Sequence, residues 1–288
     1  MEWVNTILQG VLLGGLYAMF AAGLALVFGV MRLLNLAHGD VVVLAAYIAL
    51  VAAQALGINP LLSLVVVVPG MAVLGYGLQR VLLNRTLGDD LLPPLLVTFG
   101  LSVIVQNGLL EFFTADSAKL SIGAIQNESI VLGAGLTAGM LPLAELGLAV
   151  VVIGGLQLLF NCTKLGRAFR AASDDLPAAQ FVGLNRAHVF GLATALSLAI
   201  VAVTGVLLAA RTGFDPVVGP AWLISGFEAM IIGGLGSVWG ALAGGIILGA
   251  AQTAGAQLDP GWSLLAGHIA FLVMVALRPE GLFRKARG

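Results

Sequence analysis

Apolar runs of about twenty residues recur along the whole of this 288-residue chain, and they limit its fold more than any other feature. A run of that length matches the hydrocarbon thickness of a bilayer. No water there can satisfy a bare backbone, so a single segment crosses as an α-helix. Charged residues make up only 9% of the chain and hydrophobic residues 60%, with a mean hydropathy of +1.07. Soluble domains carry roughly a quarter charge. The fold class expected is therefore an all-α polytopic membrane protein with about 8 transmembrane helices, forming one transmembrane domain over 1–288. Many of the 39 glycines lie inside the apolar runs, where small residues let helix backbones approach closely. The single cysteine, Cys162, excludes an intramolecular disulfide and a cysteine-based metal site.

The runs place spans at about 6–30, 41–56, 60–78, 92–113, 141–160, 187–210 and 262–277. The first run lacks a basic leader and a small-residue cleavage site, so it reads as a membrane helix. Gly10 and Gly14 within it have small-xxx-small spacing. The second run is short, and its helix can begin inside the polar HGD stretch at 38–40, at membrane depth against protein. Residues 114–140 read as an external loop. Residues 222–255 are too long for one crossing and carry Gly233, Gly234, Gly236 and Gly240 in their middle. They read as a glycine-rich hairpin, one arm short or re-entrant, turning near Gly236-Ser237. An ungapped echo links 16–29 to 227–240, as in transporters built from repeats, although a Gly/Ala/Leu-biased alphabet also produces such agreement by chance.

Between two apolar runs lies a charge-rich, helix-compatible segment, 161–186, with Lys164, Arg167, Arg170 and Arg186. Leu165, Phe169 and Ala172 share one helical face, with Arg167 and Arg170 beside it. Ser173, Asp174 and Asp175 are capping residues, Pro177 suits the first turn of a second helix, and Gly183 suits its stop. The expectation is helix, turn, helix on the cytoplasmic side. Ten of the thirteen Lys and Arg residues fall in 80–85, 164–186 and 278–287, the last through Arg278, Arg284, Lys285 and Arg287. The positive-inside bias then puts 162–186, 79–91 (with Asp89 and Asp90) and 31–40 inside, the N-terminus outside and the C-terminus in the cytoplasm.

Of the polar residues near or within spans, Asn35, His38, Gly39 and Asp40 form a cluster that either lines the pathway or satisfies the backbone of a broken helix. Glu228 is an intramembrane acid or an interfacial one. Gly233, Gly234, Gly236 and Ser237 are candidates for a pathway-facing turn, with helix packing as the equal alternative. Glu111 and Glu145, at span ends, are expected to be solvated, and His188 and His268 to be hydrogen-bonded structural residues.

Three stretches in this order, GVLLGGLYAMFAAGLALVFGVMRLLNLAHGD, TKLGRAFRAASDDLPAAQFVGLN and EAMIIGGLGSVWGALAGGIILG, together with the terminal LRPEGLF, resemble the permeases of branched-chain (hydrophobic) amino-acid ABC transporters of the LivH type. The resemblance covers about 7–284. It implies a bacterial inner-membrane subunit of an ATP-driven importer for branched-chain or hydrophobic amino acids, with urea, short amides or other amino acids as alternative substrates. It also implies a second homologous permease, most simply as a heterodimer, with two cytoplasmic ATPase subunits, a periplasmic substrate-binding protein and membrane lipid as partners, and no nucleic acid. The sequence contains no G-x-x-x-x-G-K-[ST], so no cofactor is expected on this chain, and ATP and Mg belong to partner subunits. Docking on the ATPase would then use Leu165, Gly166, Arg167, Phe169, Arg170, Ala172 and Gly183: Leu165, Phe169 and Ala172 as apolar anchor, the arginines as rim and the glycines as close-approach points.

Other classes fit less well. H-E-x-x-H is absent, Asp40 has no evident partner acid, and nothing in the sequence brings Ser225 to His268, so no catalytic or metal residues are assigned. An ATP-independent channel or secondary transporter would ordinarily show more intramembrane charge than this chain carries.

Overall fold

In the computed structural model, residues 2–88, 90, 92–133 and 136–283 are described. Asp89, Arg284, Lys285 and Arg287, which entered the charge argument above, lie outside them. The helices are α1 (Glu2–Met31), α2 (His38–Leu56), α3 (Pro60–Val81), α4 (Leu92–Phe113), α5 (Met140–Cys162), α6 (Lys164–Asp174), α7 (Leu176–Phe181), α8 (Arg186–Arg211), α9 (Gly219–Gly233), α10 (Val238–Leu258) and α11 (Ser263–Leu277). Among the described residues, eight helical segments are long and apolar enough to cross a membrane. The fold is all-α and polytopic, as the apolar runs require. The fifteen-residue α9 is apolar but rises only about 22 Å, short of a bilayer core of about 30 Å.

The chain divides into two compact units. One comprises 26–120 and 154–223. Here α3 lies along α8, and Gly75 leaves room for the Thr194 carbonyl and the Leu198 side chain. Gln79, fully buried, accepts from Thr194 Oγ1 at 2.8 Å and donates to Asn84 Oδ1 at 3.0 Å. His188 bonds the Tyr76 hydroxyl through Nδ1 at 2.9 Å, the structural role expected of it. Tyr47 of α2 stacks on Phe113 at the end of α4 and meets Phe214 edge-on.

The other unit comprises 1–25, 121–153 and 224–288. Small-residue packing dominates it. A side chain on Gly10 or Gly14 of α1 would run into the backbone of α10 at Gly249–Ala250 or Gly245–Ile246, and the converse holds for Gly245 and Gly249. The α9–α10 hairpin closes the same way, Gly233 against Gly240 and Gly244 against Ala229. Its turn uses positive φ at Gly234 (109°) and Gly236 (79°), and Ser237 caps α10 through Oγ, which accepts from Gly240 N–H at 3.0 Å. The segment after α11 folds back on this turn. Leu282 N–H donates to Ile232 O at 3.0 Å and Phe283 N–H to Gly233 O at 2.9 Å, so the last carbonyls of α9 are satisfied by residues near the end of the chain.

Two expectations change, and one alternative left open is decided. Residues 114–140 are not plain loop: Ser129–Gly133 (β1) and Leu136–Gly139 (β2) pair antiparallel, with Ile130 opposite Ala138. Asn5 Oδ1 accepts from Thr137 N–H at 3.2 Å and Gln9 Nε2 donates to Thr137 O at 2.6 Å, tying the hairpin to α1. Glu145 is fully buried rather than solvated, because α1 packs on the same stretch of α5, with Gly15 against the Leu146 backbone. Glu111 is exposed as expected. The echo between 16–29 and 227–240 is not a structural repeat: the first lies in unbroken helix, while the second contains the α9–α10 turn.

Candidate functional site

The first candidate is a buried carboxylate at the start of a helix that begins part-way along its neighbour. α1 ends at Met31, and Arg32, whose N–H donates to Phe28 O at 2.8 Å, takes a left-handed φ of 52° that turns the chain out of the helix. Residues 32–36 are not helical, and their polar backbone is satisfied locally. Asn35 Oδ1 accepts from Ala37 N–H at 3.0 Å, and Leu36 N–H donates to Thr98 Oγ1 at 3.2 Å. Helix α2 then starts at His38, inside the HGD stretch, with His38 and Gly39 buried.

Asp40 lies in its first turn, 1% exposed. Ser102 Oγ donates to its Oδ2 at 2.5 Å and Gln106 Nε2 to its Oδ1 at 2.9 Å. Ser102 and Gln106 sit about 15 and 21 Å along α4, so the carboxylate lies near mid-span. Gly219, the first residue of α9, packs so closely that a Cβ there would fall on Asp40 Oδ1, and one on Gly39 would fall on the Gly219 carbonyl. Three helices thus meet at one acid, and two of them, α2 and α9, present their N-termini to it. A buried carboxylate is costly in a span unless compensated, and two donors with two helix dipoles supply that compensation.

The second candidate is the α6–α7 pair. Thr163 Oγ1 accepts from Gly166 N–H at 2.9 Å and caps α6, while Asp175 Oδ1 accepts from Ala178 N–H at 2.9 Å and caps α7. Pro177 stands in the first turn of α7, and Gly183, with φ 91°, follows its end. Gly166 sits against the carbonyls of Leu159 and Phe160, and the buried Phe169 ring lies 5.7 Å from that of Phe160. Phe169 and Ala172 are therefore buried within the chain, Leu165 is half-buried, and Arg167, Arg170 and Gly183 are exposed. The apolar side chains that α6–α7 does present outward are Phe181 (92% exposed) and the following Val182 (80%). The sequence reading missed both, since each sits at a helix end outside the periodic stripe.

The remaining candidates belong to the other unit. Glu228 is buried, not interfacial, and its Oε1 lies 2.5 Å from His268 Nδ1. Gly233 is occupied by helix packing and Gly234 by the returning C-terminal segment. Gly236 shapes the turn, and Ser237 is a helix cap.

The sequence model of a family described as branched-chain amino acid transport system / permease component matches residues 6–277. The chain belongs to this family. The high-affinity branched-chain amino acid transport system permease protein BraD of Pseudomonas aeruginosa is 30% identical over 98% of this chain and 95% of its own length. The corresponding permease protein LivH of Escherichia coli strain K12 is 28% identical over 97% of this chain and 95% of its own. A chain of PsaBC from Streptococcus pneumoniae, solved in complex with Fab, superposes with a TM-score of 0.50 over 97% of this chain and 96% of that one at 13% identity, a likeness of fold alone.

This permease is a multi-pass membrane protein. Gly39 packs beside Asp40 against Gly219, Asn35 Oδ1 holds the turn before α2, and His38 is buried in the first turn of α2, but Ser102 and Gln106, the partners of Asp40, were not singled out in the sequence. Their signal was a Ser and a Gln four apart, on one face of an otherwise apolar span.

Proposed function

We propose that this permease is the membrane subunit of an ATP-driven importer in the bacterial inner membrane, moving branched-chain or other hydrophobic amino acids delivered by a periplasmic binding protein. Its partners are a second homologous permease and two cytoplasmic ATPase subunits carrying ATP and Mg, with the α6–α7 pair and the C-terminus on the ATPase side. The observation that carries this reading is the build of α6–α7: capped at both helix starts, locked from behind by Gly166, Phe169 and Ala172, and outwardly presenting Phe181, Val182, Arg167 and Arg170. Exposed apolar side chains on the same helix pair as exposed arginines suit a protein groove better than water. Phe169 and Ala172 support that contact from behind rather than insert into it. The names of the relatives supply the substrate class. The Asp40 junction, where two helices start near mid-span, is the candidate pathway element.

The test is co-purification with the ATPase subunits and substrate-stimulated ATP hydrolysis, for wild type, Phe181→Asp, Arg167→Glu and Arg170→Glu. The variants are expected to insert normally and to lose the ATPase. Retention by all three at the wild-type level would remove α6–α7 from the coupling role.

A further inference from the structure

At the end of α1 that leads into α2, the chain encloses a pocket of about 350 Å³ lined by Phe28, Met31, Leu87 and Leu95, with Arg32 and Asp90 contributing the charges. Its floor is fixed, because Leu33 packs with Val27 and Leu83 into a small buried core supported by Met31, Leu87 and Val97. One wall is pinned as well: Arg186 Nη2 donates to Leu87 O at 3.2 Å. Asp90 is held by its Oδ1, which accepts from Leu92 N–H at 2.9 Å, and among the described residues its Oδ2 has no hydrogen-bond donor. The left-handed backbone at Arg32 sets where its side chain leaves the chain. Arg32 and Asp90 are not bonded to each other, and among the described residues the guanidinium has no carboxylate partner.

We propose that this pocket is a binding site for one apolar zwitterionic amino acid, its carboxylate on Arg32, its ammonium on Asp90 and its side chain against Phe28, Met31, Leu87 and Leu95. The volume lies at the low end of small-molecule sites, about 300–1,000 Å³, which suits a single branched aliphatic amino acid. A guanidinium is a natural partner for a carboxylate, and an acid beside it completes the match to a molecule carrying both charges. The same acid argues against an anionic phospholipid, whose headgroup would satisfy Arg32 but be repelled by Asp90. Arg32 and Met31 also line the neighbouring cleft, where Asp174 and Asp175 precede and cap α7, so an occupant that draws Arg32 toward itself is felt beside the α6–α7 pair. The ligand class is read from the pocket alone, so the site can fail while the transport reading stands.

The experiment is equilibrium binding of radiolabelled L-leucine to the purified chain in phosphatidylcholine nanodiscs. Competitors are unlabelled L-leucine, 4-methylpentanoate (no amine), 3-methylbutylamine (no carboxylate) and glycine (no apolar side chain). L-leucine is expected to compete, and the other three to be weaker by about tenfold or more, since each loses a charge-assisted contact or the apolar one. Arg32→Asn and Asp90→Asn are each expected to weaken binding by a similar factor, while Lys119→Gln leaves it unchanged. Asn tolerates the left-handed backbone at 32, and at 90 it keeps an oxygen for Leu92 N–H, so both variants should elute and melt as wild type. Absence of leucine binding, or wild-type binding in Arg32→Asn, overturns the proposal. Retention of phosphatidylglycerol in native mass spectrometry, lost in Arg32→Asn and without leucine binding, also overturns it and marks a lipid groove.

Discussion

Asp40 concentrates more of this structure than any other side chain, and its two donors sit 62 and 66 residues away on α4. Asp40→Ala strands the Ser102 hydroxyl at a cost of about 1–3 kcal/mol and takes one of two acceptors from Gln106 Nε2, which keeps Ser102 Oγ at 3.2 Å. Asp40→Asn keeps the shape, and the Ser102 hydroxyl can rotate to accept. The alanine variant is therefore expected to melt well below wild type in detergent and the asparagine variant close to it. An Asp40→Ala protein as stable as wild type would mean that the carboxylate does not hold α4 in place. Thr163→Ala removes the cap of α6 and about 1 kcal/mol with it. The effect belongs in ATPase retention, which should fall while membrane insertion is unchanged. These residues also mark what a sequence can reveal. A cap is read from its neighbours, and Asp175, Pro177 and Gly183 announced α7 correctly. A partner sixty residues distant leaves no local trace.

Among the elements, α1 and α10 are joined by glycine contacts rather than by side-chain volume, and that makes a sharp prediction. Gly245→Leu forces the two backbones apart and is expected to abolish the folded, monodisperse product. Gly147→Leu, at an exposed position with open space around it, should express and elute as wild type. Equal behaviour of the two would show that close approach is dispensable. The hairpin α9–α10 was legible because glycines and a serine interrupt an overlong apolar run. The direction of the apolar face of α6 was not. Periodicity shows that Leu165, Phe169 and Ala172 share a face, but the same stripe arises whether that face meets its own chain or a partner. For Glu145, position near the end of a span suggested water, and a neighbouring helix decided otherwise. The β-hairpin escaped because Ser-Ile-Val-Leu-Gly is too short to stand out among long apolar runs.

For the whole molecule, orientation is the open quantity that the charges address. Cys162 is the lone cysteine, so Cys162→Ser gives a blank background. Single cysteines at Asp116 and Val182, both exposed, then report opposite sides. A membrane-impermeant maleimide on spheroplasts is expected to modify 116 directly and 182 only after permeabilisation. The reverse pattern would invert the topology and place the α6–α7 pair outside.

The return of the C-terminal segment onto the α9–α10 turn also has a bearing on biosynthesis. Helix α9 ends at Gly233, yet its final carbonyls wait for the amides of Leu282 and Phe283, made about fifty residues later. While the ribosome is still adding α10 and α11, the lower end of α9 has no hydrogen-bonding partner from this source. Completion of that end therefore follows synthesis of α10 and α11 and is not local to the hairpin. A chain cut after Leu277 keeps all eight candidate spans found among the described residues and still leaves the Ile232 and Gly233 carbonyls without these two donors.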